Sequence, residues 1–95
     1  MFQDALKKMQ AQVEESKKRL ETVIVEGKAE GVTVEMTGNR KLRDIKIEDE
    51  LMDDKDSLQD LLLVATNRAL EEAEKVYEAE MASSAQNIMP NFPGM

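Results

Sequence analysis

The chain has 95 residues, no cysteine, no histidine and a formal net charge of −7, with Phe2, Tyr77 and Phe92 as its aromatics. That composition excludes disulfides, thiol chemistry, the usual zinc sites and histidine-based catalysis. It allows one domain, with a core of Leu, Ile, Val, Ala and Met, at a size where oligomerisation is a common aid to stability. Charge is spread unevenly: residues 1–46 carry ten Lys/Arg against eight Asp/Glu, and residues 47–95 carry three against twelve. No apolar run approaches the ~20 residues of a membrane span, and Asp4, Lys7, Lys8 and Gln10 interrupt any leader-like stretch. A soluble cytoplasmic protein is expected.

The first predicted element is a helix over Phe2–Leu20. Phe2, Leu6, Met9, Val13 and Leu20, with Ser16 in the gap, recur at alternating steps of four and three, the seam of a helix lying against another helix. Lys7, Lys8, Lys17, Lys18 and Arg19 fall off that seam. Three strands are expected next, over Thr22–Glu26, Val32–Thr37 and Leu42–Glu48. Gly27 and Gly31 read as brackets of a hairpin loop. Val32, Val34 and Met36 alternate with Thr33, Glu35 and Thr37, which gives one dry face. Gly38-Asn39 is a two-residue turn signal. In the third strand Ile45 and Ile47 share a face, and strict alternation would add Arg43 to it, so a bulge or a strand end is expected near Asp44. The three strands make an antiparallel meander.

The acidic connector Glu48-Asp49-Glu50-Leu51-Met52-Asp53-Asp54 lacks the spacing and central glycine of an EF-hand and reads as a solvated loop. Asp56 or Ser57 can cap the following helix, with Gln59 or Asp60 completing a capping box. That helix is expected over Ser57–Ala82, with apolar positions at Leu58, Leu61, Leu62, Ala65, Ala69, Ala73, Val76 and Tyr77. Its ~39 Å and the ~28 Å of the first helix exceed strands of about 20–23 Å. Overhanging amphipathic helices need a partner surface, so a homodimer is expected. Residues 83–95 read as a mobile tail outside a domain of residues 1–82.

The sequence offers no catalytic set. Its glycines do not lead into a helix as a phosphate loop requires, and its serines have no histidine base. No cofactor, no metal and no enzymatic activity are expected.

The order helix–three strands–helix resembles the YbaB/EbfC family of nucleoid-associated proteins. The matching residues are Val25-Glu26-Gly27, Gly31-Val32-Thr33-Val34, Gly38, and Ile45-Lys46-Ile47-Glu48 with its acidic sequel. Leu58-Gln59-Asp60-Leu61-Leu62-Leu63-Val64-Ala65-Thr66-Asn67-Arg68-Ala69 is similar to the family's second-helix signature, with Ala65-Thr66 in place of the common Ala-Ala pair. Met89-Pro90-Asn91-Phe92-Pro93-Gly94-Met95 is similar to its Pro-Gly-Met ending. The resemblance implies an α+β fold in an intertwined, tweezer-shaped bacterial homodimer with projecting helices. It implies double-stranded DNA as the partner, association with the nucleoid, and no cofactor. The residues expected to meet phosphates are Lys7, Lys8, Lys17, Lys18 and Arg19 of the first helix, and Arg40, Lys41 and Arg43 around the second hairpin. Their role would be charge neutralisation without base readout. The acidic balance also suits an alternative: an adaptor for replication or repair proteins, with only indirect DNA contact.

Overall fold

The computed structural model describes residues 2–88. Helix α1 (Phe2–Thr22) leads into strands β1 (Ile24–Ala29), β2 (Val32–Thr37) and β3 (Leu42–Ile47). A short 3-10 turn (Asp49–Asp53) then feeds helix α2 (Lys55–Ile88). The sheet order is β1-β2-β3, antiparallel throughout, as the short turns between the strands predict.

One face of the sheet is dry. Val32, Val34 and Met36 of β2 pack against Ala65, Ala69 and Ala73 of α2, all essentially inaccessible to solvent. The three alanines repeat every four residues and so form a shallow groove along one side of the helix. Gly27 lies in that groove. A Cβ at this position would sit 2.0 Å from the Ala65 carbonyl oxygen and 2.3 Å from the Ala69 nitrogen. Gly27 is therefore a mid-strand residue of β1 and not a hairpin bracket. Its role is close backbone approach, so β1 runs three residues beyond its expected end at Glu26.

Other boundaries move for local reasons. Helix α2 begins before Ser57 because Asp54 caps it: the Asp54 carboxylate accepts from the Ser57 amide at 3.2 Å, and its carbonyl from the Leu58 amide at 2.9 Å. At its other end α2 continues to Ile88, six residues beyond the expected Ala82. The expected tail over 83–95 is thus helical as far as residue 88, and the remainder lies outside the described residues. The acidic connector is a 3-10 turn instead of an open loop. The expected irregularity in β3 is present. Glu35 pairs with Asp44 and Met36 with Leu42, so Arg43 is the extra residue that keeps Ile45 and Leu42 on the dry side.

The turn between β2 and β3 is longer than two residues. The Arg40 amide donates to the Thr37 carbonyl at 2.9 Å, and the Thr37 amide to the Lys41 carbonyl at 2.8 Å. This is a three-residue loop that ends in a left-handed residue, Arg40, at φ 64°. That conformation costs a residue with a Cβ about 1 kcal/mol.

Helices α1 and α2 extend past the sheet as a paired arm, giving the molecule extents of 62 × 26 × 16 Å. Ser16 and Leu20 are the buried part of the α1 seam. Arg19 ties the root of the arm to α2 through the Glu80 carboxylate, with Nε at 2.7 Å.

Candidate nucleic-acid interface

The β2–β3 turn docks on the C-terminal end of α1. The Gly38 amide donates to the Leu20 carbonyl at 3.0 Å, and the Asn39 side-chain amide to the Lys17 carbonyl at 3.4 Å. These bonds satisfy carbonyls that a helix end leaves open. They also bring Lys17, Lys18 and Arg19 to the same end of the molecule as Arg40 and Lys41. The helix C-terminus carries partial negative charge, which favours cations there. Arg43 follows on the bulge of β3. Lys7 and Lys8 lie apart, about 14 Å or more along α1 from Lys17.

The opposite end of the sheet is acidic. The Glu48 amide donates to the Gly31 carbonyl at 2.9 Å, which places the turn carrying Asp49, Glu50 and Asp53 beside the β1–β2 loop. About 20 Å of strand separates the two ends. The cations thus gather at one end of the sheet, interleaved there with Glu14, Glu15, Glu21, Glu78 and Glu80 of the two helices, while the other end is acidic. The outer face of the sheet adds no cationic surface. Glu26, Glu35 and Asp44 stand in register across the three strands. Lys28 and Lys46 are ion-paired there, to Glu26 and Glu35, each at 3.5 Å.

The sequence-predicted cations differ in what holds them. Arg19 is committed to Glu80 and reaches Glu15 at 3.9 Å. Lys17 is 3.9 Å from Glu14 in an exposed pair. Lys7, Lys8, Lys18, Arg40, Lys41 and Arg43 are in no ion pair with the described residues. The Arg40 guanidinium lies over the Tyr77 ring, 4.8 Å from its centroid. The contacts of Asn39, Tyr77 and Glu80 leave no local signal in the sequence, because each acts on a residue far away in the chain.

Among the described residues no cluster of carboxylates could hold a metal ion. None of their helices is long and apolar enough to cross a membrane.

Residues 1–88 match the model of the YbaB/EbfC DNA-binding family. The chain belongs to this family. It is similar to a nucleoid-associated protein of Flavobacterium johnsoniae, 42% identical over 92 residues that cover 95% of this chain and 87% of the relative. A nucleoid-associated protein of Chlorobaculum tepidum is 36% identical over 93 residues, covering 93% and 84%. The crystal structure of an uncharacterized protein from Helicobacter pylori has the same fold, with a TM-score of 0.72 at 25% identity over 92% of this chain and 91% of that one. The α+β architecture and the resemblance read from Val25-Glu26-Gly27 and the second-helix segment are thus borne out. Gly27, Ala65 and Ala69 of those segments meet in the helix–sheet contact.

Proposed function

We propose that this nucleoid-associated protein works as a homodimer that binds double-stranded DNA directly, mainly through phosphates, and thereby contributes to nucleoid organisation and gene regulation in the cytoplasm. The observation that carries this reading is the docking of the β2–β3 turn on the end of α1. It gathers cations at one end of an acidic molecule and leaves Lys18, Arg40, Lys41 and Arg43 without carboxylate partners among the described residues. Lys7 and Lys8 extend the contact along the arm, and Lys17 joins through its weak, exposed pair. Arg19 serves chiefly as the brace of the arm, because Glu80 holds it.

The dimer reading rests on the half of the dry face that this chain leaves open. Helix α2 lies over β1 and β2 but not over β3. Val34 is fully buried, whereas Ile45, its partner across the ladder, is 43% exposed, and Leu42 is 56% exposed. Two contacts fix the rotation of α2: Arg68 donates to the Lys28 carbonyl on the β1 side, and Tyr77 meets Arg40 on the β3 side. Helical spacing puts Leu62, Thr66 and Leu70 on the Tyr77 side, facing the open floor. Leu63 at the rim is 65% exposed. A second copy seated on Leu42, Ile45, Leu62 and Leu63 removes this apolar surface from water and sets two arms and two sets of unpaired cations on one particle.

The test is a fluorescence-anisotropy titration of a generic duplex with the purified protein, repeated from low to physiological salt. Direct phosphate contact predicts affinity that falls with salt by about 0.9 in log–log slope for each phosphate neutralised. Charge reversal at Lys18, Lys41 and Arg43 should flatten that dependence. Absence of binding at low salt would contradict direct contact and favour a role through protein partners in replication or repair.

A further inference from the structure

We propose that Tyr77 is a positioning residue for DNA binding: its ring holds the Arg40 guanidinium in place for a backbone phosphate. The inference rests on the direct-contact reading above and adds a specific device to it. Three observations support it. Arg40 occupies the left-handed position of the β2–β3 loop, φ 64°, where glycine or asparagine fits without strain. A side chain kept at a strained position often has a use there. The guanidinium lies over the Tyr77 ring at 4.8 Å, within cation–π range. Two other arginines spend N–H groups inside the molecule, Arg19 of α1 on Glu80 and Ser16, and Arg68 of α2 on the Lys28 carbonyl. Arg40 has no such bond among the described residues.

The ring contact engages no carboxylate or carbonyl acceptor, so the guanidinium keeps N–H groups for an incoming phosphate. A guanidinium can match two phosphate oxygens at once. Tyr77 is itself half-buried on the long helix α2, so it presents a fixed platform. A stacked arginine has already lost much of its rotamer freedom, and less is lost on binding. A lysine cannot stack or fork in this way, which distinguishes Arg40 from its neighbour Lys41.

The test is a cycle of four proteins, wild type, Y77L, R40G and the double variant, with Y77F as a rescue, each titrated against the same duplex over a range of salt. R40G should weaken binding roughly five- to tenfold at about 0.1 M salt and lower the slope by about 0.9 for each protomer whose Arg40 meets a phosphate. It should melt no lower than wild type, since glycine accepts the left-handed conformation. Y77L should weaken binding about two- to fivefold when Arg40 is present and leave it unchanged in the R40G background. Y77F should bind like wild type. Equal losses from Y77L in both backgrounds, or an R40G variant with wild-type affinity and slope, would overturn the assignment. Wild-type protein that shows no salt-dependent binding would instead overturn the direct-contact reading beneath it, and would do so before any variant is measured.

Discussion

The two halves of the sheet differ in what finishes them. Over β1 and β2 the chain completes its own core: Gly27 lets α2 approach to backbone contact, and Val34 closes against Ala65, Ala69 and Ala73. Over β3 the same dry face stays open, and Ile45 and Leu42 remain substantially exposed although they share the face of Val34 and Met36. One half is built to tolerances that no partner can alter. The other half has apolar residues that none of the described residues covers. The chain therefore buries one part of the sheet's apolar face itself and leaves another part, at Ile45 and Leu42, open to solvent.

Substitutions can break this division from either side. The largest effect is expected at Gly27. Gly27→Ala drives a methyl into the Ala65 carbonyl, and the helix must lift from the sheet. The expected loss is about 3 kcal/mol or more. In a chain of this size that lowers the Tm by roughly 12–24 °C, measurable by circular dichroism. A variant with wild-type Tm would show that the helix–sheet contact yields more easily than its geometry implies. On the open half, Ile45→Asp should leave the fold standing, because the side chain is already partly in water. It should weaken self-association by about a hundredfold or more, the range of a central interface anchor. Sedimentation equilibrium reads this as a shift toward the 10.7 kDa chain mass. A loss of secondary structure in Ile45→Asp would place that residue in the folding half instead.

Smaller effects belong to the arm. Arg19→Ala removes the brace to Glu80, a pair whose side chains are 50% and 20% exposed. Solvent screening limits the cost to about 1 kcal/mol or less, a Tm change of a few degrees. Glu14→Ala removes only the long, exposed contact with Lys17 and should change the Tm hardly at all. If the two variants melted alike, Glu80 would not be the residue that holds the arm root.

What could be read from the chain follows the same division. Alternation in Val32–Thr37 located β2 to the residue, and the misfit of Arg43 with the face of Ile45 announced the bulge. Local chemistry decides both. Glycines at positions 27 and 31 resemble hairpin brackets, so local chemistry points to a loop at Gly27. Its real reason is the backbone of Ala65 and Ala69, some forty residues later, which periodicity does not reveal. The sequence offers Asp56 or Ser57 as the cap and starts α2 two residues late, because Asp54 is an equally good cap type and only the fold selects it. The cations were legible as residue types. Their commitments were not: nothing local says that Arg19 belongs to Glu80 while Arg40 rests on Tyr77.

If a second copy covers β3, the resulting pair places its two sets of unpaired cations on one duplex. Sedimentation equilibrium of the protein mixed with a short duplex at low salt tests both at once. The account predicts two chains on each duplex, and a chain that remains paired when the duplex is left out. One chain per duplex, or protein and DNA that sediment independently, would contradict it.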